Sequence, residues 1–331
     1  MASSPRDIPN ARAQTKPNGN NPNLVPSTVA SANMEHRPAK IAVIVVTLII
    51  FIVTAVLNAY ASEPESSSGI YTTETGNVSD FYPTRLTPAG WTFSIWGFIY
   101  FWMILWLVYS IVAIFLKVGN EYVYTSIIFM PCLFFFIYSV NLLLNISWLI
   151  LFDRKLFIVS LFVALFMFVS AVTCISISCY VLTNNYDLIN ETKLFVHVWL
   201  IRFFVQNGIA FYAAWLLVAT HLNLDIAMRY SWKVDPDTCD LTAIIMILVI
   251  ISTWFLLDVI ALDNYTRYLF SEYIVFIVAF CGVVYKQLNT DVYDRIDVLI
   301  LICLSASGAF FVFKMAILLW RHFRKSSYIT Y

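Results

Sequence analysis

Thr87-Pro-Ala-Gly-Trp-Thr-Phe-Ser-Ile-Trp-Gly-Phe-Ile-Tyr100 carries a long polar loop into an apolar stretch rich in aromatic residues. Pro88 cannot continue a helix from upstream and restricts the residue before it, while Gly90 leaves the backbone free to turn, so a helix is expected to start near Trp91. On that helix Phe93, Trp96 and Tyr100 fall at i, i+3 and i+7 and share one face. Gly97 beside them offers a place where another backbone can approach closely. Two readings stand side by side. The cluster is either an interfacial belt, where Trp and Tyr collect in any membrane protein, or the mouth of a pocket.

Outward from this stretch the chain of 331 residues is 60% hydrophobic and 12% charged. It contains several apolar runs near or above the roughly 20 residues that a membrane-spanning helix requires. The fold class is therefore all-α, a polytopic membrane protein, with eight spans expected at about 41–61, 91–116, 124–151, 155–182, 203–228, 241–262, 266–286 and 296–320. Residues 1–40 are rich in Pro, Asn and Ser and read as a disordered tail, because such a composition cannot offset its ordering entropy. The tail is too long and polar for a usual signal peptide, so the first span is expected to stay as a signal anchor. Net charge is zero with no basic stripe outside the tails, which gives no support to nucleic-acid binding. Five of the six cysteines lie inside expected spans and Cys239 lies in a loop, so a disulfide framework is not expected.

Eight spans put both tails, including 326–331, on one side. With that side taken as cytosolic, 11 Lys and Arg fall on inner segments against 7 on outer loops, the direction of the positive-inside rule. The loop 62–90 is then outside, acidic, and carries the glycosylation acceptor Asn77-Val-Ser79. The sequons at Asn190 and Asn264 fall inside. Between Thr192 and Val205 the apolar chain carries His197 and Arg202 ahead of Gln206-Asn-Gly208, expected as a short helix that leads through a break into the fifth span, with Arg202 snorkelling to water.

On the third span Tyr138, Asn141, Asn145, Trp148 and Phe152 form one face. Two amides in hydrocarbon need partners, so this face either glues helices together or lines a ligand cavity. On the fifth, Tyr212, Trp215, Ala219 and Leu222 share a face that makes room for a neighbouring helix or for a flat ligand.

Tyr212-x-x-Trp215-x-x-x-Ala219-Thr220-x-Leu222-Asn223 resembles the fifth-helix signature of the translocator protein family, also called TspO or tryptophan-rich sensory proteins. Asn145-Ile-Ser-Trp148-Leu-Ile-Leu-Phe152 is similar to that family's third-helix pattern, and Pro88, Trp91, Phe93, Trp96 and Tyr100 to its second. The resemblance covers roughly residues 41–230 and implies a five-helix bundle, to which 231–325 adds three transmembrane helices. It implies a cavity, covered by the loop after the first helix, for tetrapyrroles such as porphyrin or haem, for sterols, or for synthetic aromatic ligands. Carried over by position, the lining is Trp91, Phe93, Trp96, Tyr100, Asn145, Trp148, Tyr212, Trp215, Ala219 and Asn223. The sequence departs from the family at Ala89, at the spacing of Trp91 and Trp96, and at Phe211. Leu224, Tyr230 and Lys233 match a sterol-contact pattern that is frequent by chance.

The last three spans hold Asp258, Glu272 and Lys314, each expensive in isolation, and Lys314 is expected to pair with Asp258 or Glu272. His221 is expected as an interfacial polar residue, and no metal site is indicated. Neither a nucleophile–base set nor a phosphate-binding glycine loop is present, which argues against an enzyme. The leading expectation is a receptor or carrier for a hydrophobic planar molecule. An ion-coupled transporter using the charged cluster, and an enzyme acting on a tetrapyrrole, are the alternatives. The partners implied are the bilayer and the small molecule, with a homodimer left open. The sequon loop and signal-anchor layout favour the secretory route and plasma membrane, with the mitochondrial outer membrane as the alternative that the resemblance to animal translocator proteins implies.

Overall fold

The computed structural model describes residues 36–67, 69–185, 194–287 and 293–326, and all of them belong to one compact helical unit. The expected tail up to residue 35, the end beyond 326 and the sequon at Asn190 lie outside the described residues. The chain forms α1 (Pro38–Ser62), α2 (Thr75–Phe81), a 3₁₀ turn over Gly90–Ser94 running into α3 (Ile95–Phe115), α4 (Cys132–Asp153) and α5 (Phe157–Asn184). It continues through α6 (Phe195–Ser231), α7 (Pro236–Ala261), the short α8 (Asp263–Thr266), α9 (Ser271–Gln287) and α10 (Arg295–Ser326). Two-residue strands at Lys117–Val118 and Glu121–Tyr122 pair antiparallel between α3 and α4.

Seven of these helices are long and apolar enough to cross a membrane. The remaining expected span, 266–286, falls on α9, which at 17 residues is shorter than these seven and is not one of them. Helix α6 is the axis of the structure. The most apolar part of its span is 83% buried, against 22–44% for the other six, because α3, α5, α7 and α9 pack around it.

The ends of the helices follow from local chemistry. Pro38 and Pro236 sit in first turns, where the missing N–H costs nothing. Asp235 caps α7 by accepting from Thr238 N at 3.1 Å. Helices α4 and α6 both stop on a left-handed lysine, Lys155 (φ 63°) and Lys233 (φ 57°). In each case the next residue's N–H reaches back over the last turn, Leu156 to Leu151 O at 2.9 Å and Val234 to Met228 O at 3.0 Å. These reversals make neighbouring helices antiparallel.

The break expected before the fifth span is absent. Helix α6 runs unbroken, widening into π-helical turns at Ile201–Gln206 and Ala227–Ser231. Asn207 explains the first of these. Its Nδ2 donates to Arg202 O and Tyr268 O, and its Oδ1 accepts from Phe270 N and Ser271 N, so the freed polar groups are satisfied within the protein. Arg202 lays its guanidinium 4.1 Å from the Tyr268 ring centroid. His221 is buried, held by Leu217 O at 2.8 Å, rather than interfacial. Cys239 lies in the first turn of α7 rather than in a loop, and all six cysteines are free.

Candidate functional site

A cavity of about 360 Å³ opens beneath the segment that joins α1 to α3. Its wall from α1 includes Ala55, Asn58, Ala59 and Ser62, which share a helical face, and Ala61 beside them. Helix α2 covers it with Glu74 to Asn77 and Asp80, and Phe93, Trp96, Gly97, Tyr100 and Trp148 complete it.

The aromatic residues are held by one another and by amides. Trp96 stacks on Tyr100 with centroids 5.8 Å apart and planes 22° apart. Trp215 stands edge-on to both Phe93 and Trp96, at 6.2 and 6.1 Å, and Tyr212 supports Trp96 at 6.2 Å. Asn145 Oδ1 accepts from Asn58 Nδ2 at 2.8 Å and from Tyr100 Oη at 3.4 Å. Asn223 Oδ1 accepts from Trp148 Nε1 at 3.2 Å and from Ser160 Oγ at 3.3 Å.

The ten residues singled out by resemblance therefore fall into three sets. Phe93, Trp96, Tyr100 and Trp148 line the cavity. Asn145, Tyr212, Trp215 and Asn223 are buried behind them and fix their orientation. Trp91 and Ala219 stand apart: Trp91 is half exposed and meets Tyr285 at 6.4 Å, and Ala219 receives the Asn223 amide on its carbonyl. Asn141 acts as glue between helices, donating to Met167 O and Ser170 Oγ and accepting from Tyr212 Oη. Sequence reasoning missed Asn58 and the small face of α1; Thr47, Thr54 and Asn58 at i, i+7 and i+11 of an apolar helix were the signal available.

Gly97 is not a point of close approach. No atom lies within 4 Å of where its Cβ would be, so the absent side chain leaves room in the cavity. Close approach occurs instead at Gly282 of α9, where a Cβ would stand 2.0 Å from Thr92 Oγ1 and whose carbonyl accepts from Ala89 N at 3.0 Å.

That contact belongs to a seam that ties the loop to the last helices. Pro83 O accepts from Tyr230 Oη at 2.9 Å, and Gln287 Nε2 donates to Thr84 O at 3.2 Å. Arg85 N donates to Asp240, and its guanidinium pairs with Asp294 at 3.3 Å and with Asp297. Lys286 pairs with Asp80. On the opposite flank Asp153 at the end of α4 accepts from Thr72 N, Thr72 Oγ1 and Thr73 N. Asp294 also caps α10 by accepting from Ile296 N and Asp297 N, while Asp297 reciprocates towards Asp294 N. The Asp297 N–H and the Arg85 cation hold the Asp294 carboxyl below the usual carboxylate range.

The chain matches the family model described as TSPO-like protein over residues 42–316. It belongs to the TSPO-like family. No curated protein and no solved structure matches it. The match runs from α1 into α10, so in this TSPO-like protein it includes the helices that tie down the loop. With seven apolar spans the chain is an integral, multi-pass membrane protein. Its intramembrane charges also find places. Lys314 Nζ reaches Asp258 Oδ1 at 2.6 Å and Thr266 O at 3.1 Å, and Asp258 Oδ2 accepts from Tyr273 Oη at 2.8 Å. Glu272 takes no part in that pair; its contact is the Trp254 indole N–H at 3.4 Å. Outside the spans Asp263 receives Arg267 and Arg321, whose hydrogen bonds outweigh the upward effect of burial and hold its carboxyl below the ordinary value.

Proposed function

We propose that this TSPO-like protein is a membrane receptor or carrier that holds a hydrophobic, planar small molecule in the cavity beneath residues 62–90. The observation that carries the reading is the packing of Phe93, Trp96, Tyr100 and Trp148 around a space of about 360 Å³, with their orientation set by Asn145, Asn223 and Trp215. Fixed aromatic faces favour a flat apolar ligand, and a few placed polar groups orient it. The volume is at the low end of the roughly 300–1,000 Å³ typical of small-molecule sites, so a ligand as broad as a tetrapyrrole requires α2 to lift. Glu74 adds a negative charge to the rim while Asp80 is paired with Lys286, which favours a neutral sterol-like molecule over an anionic porphyrin. Loop 62–90 acts as the lid, and the three-helix extension over 231–325 holds it through Arg85, Gln287 and Gly282. The termini are cytosolic and the membrane is one of the secretory route. Asn77, exposed on α2 at the rim, is accessible to glycosylation in that orientation.

The test is a tryptophan-fluorescence titration of the purified protein with a sterol and, separately, with a porphyrin. Saturable quenching at micromolar ligand is expected in the wild type and is lost in Gly97→Phe, which fills the cavity without meeting protein atoms near its Cβ. Unchanged affinity in a folded Gly97→Phe variant places the ligand elsewhere and ends this reading.

A further inference from the structure

A second cavity, of about 340 Å³, lies on the other side of α6. Its floor is Ala210, Ala213, Ala214 and Leu217 of α6, and α5 and α7 form its rims. Val172, Ser176 and Tyr180 on the α5 rim are exposed, so it opens sideways on the face that a bilayer covers. Glu272 is the one carboxylate in its lining and is 5% exposed. One of its oxygens has the long contact to Trp254; Oε2, fully buried, has no hydrogen-bond partner among the described residues.

The nearby cations are engaged elsewhere. Lys314 reaches Asp258 and Thr266 O, and the Arg202 guanidinium lies over the Tyr268 and Trp199 rings. A buried carboxyl oxygen without a partner is costly in an apolar setting, so Oε2 calls for a donor that the described residues do not supply. A metal ion needs several oxygen ligands, and the described residues hold no group of three acidic, His or Cys side chains that could supply them. A proton would satisfy Glu272 and leave the apolar space unexplained. A protonated amine on an apolar body satisfies both, because its N–H bonds to Oε2 while its carbon skeleton covers the alanine floor and Phe276.

We propose that this lateral cavity is a binding site for hydrophobic amines, entered from the membrane and anchored by Glu272. It is independent of the aromatic cavity, which lies across α6.

The experiment measures binding of tritiated N,N-dimethyl-4-phenylbutylamine to the full chain in phosphatidylcholine nanodiscs. Saturable binding is expected in the wild type, weakened at least about tenfold in Glu272→Gln, as loss of a buried charge pair produces. Ala214→Phe, which fills the floor, should abolish it, Gly97→Phe should leave it intact, and the carbon isostere 5-methylhexylbenzene should compete poorly. The proposal is overturned by absence of saturable binding to the wild type, by equal binding to folded Glu272→Gln, or by equal competition from the isostere. If Glu272→Gln does not fold, Ala214→Phe decides: undiminished binding there overturns the site, and loss there with retention in Gly97→Phe supports it.

Discussion

Helix α6 braces the lining of one cavity and forms the floor of the other. Tyr212 and Trp215 look towards the space under the loop, where they brace other aromatic rings; Ala210, Ala213, Ala214 and Leu217 form the floor of the lateral space. The first cavity sets aromatic rings, two of them oriented by the amides of Asn145 and Asn223, against a wall of small residues. The second has a floor of alanines and a carboxylate with one buried oxygen, Oε2, that has no hydrogen-bond partner among the described residues. Rigid aromatic walls suit recognition by shape, whereas a lone buried charge suits recognition by charge. The two also differ in what holds them shut. The first depends on a seam between loop 83–90 and helices α6, α7, α9 and α10, the second on the Asp258–Lys314 pair beside it.

The largest effect is expected from breaking that pair. Lys314→Met leaves Asp258 buried without its cation and should cost about 3–5 kcal/mol, read as a large fall in thermal midpoint and in yield. Adding Asp258→Asn should recover much of the loss. If the single variant is as stable as the wild type, the pair is not structural and the second cavity has no fixed neighbour.

Gly282→Ala tests the other side of the comparison. Its Cβ would overlap Thr92, so the seam must shift at a cost of about 1–3 kcal/mol. Ligand quenching at the aromatic cavity should weaken while amine binding at Glu272 is unchanged. Equal damage to both sites would show that the cavities are coupled through α9.

The smallest effect concerns Asp294. Its carboxyl is held low in the folded protein, so it stabilises fully above the unfolded carboxylate range near pH 4 and loses that contribution as pH falls through its depressed folded value. Asp294→Ala removes the α10 cap and one partner of Arg85, costing about 1 kcal/mol at neutral pH. Thermal midpoints of variant and wild type should converge on acidification. A constant gap down to low pH would assign the loss to packing rather than to charge.

The correspondence between sequence and structure varies along the chain for definable reasons. Tyr138, Asn141, Asn145, Trp148 and Phe152 share a buried face because helical periodicity is a local property. Lys314 finds Asp258 because an intramembrane charge has few acceptable partners. The first-helix wall of the cavity escaped notice because alanines carry no chemical signal of their own; their meaning comes from what is opposite them. The Gly97 expectation failed for the same reason, since a missing side chain permits either a close neighbour or an empty space.

Composition and run length alone determined an all-α membrane protein, because hydrocarbon accepts only backbone whose hydrogen bonds close within the segment. Motif spacing pointed to Phe93, Trp96, Tyr100 and Trp148, which line the first cavity, and to Tyr212, Trp215 and Asn223, which lie behind it. Tertiary structure decided that α6 continues where a break was expected, because Asn207 satisfies the widened turn from 61 to 64 residues away in sequence. It also decided that the last helices strap the loop, and that Glu272 is left without the lysine that Asp258 takes. These outcomes depend on distances between residues far apart in the chain, and no local pattern encodes them.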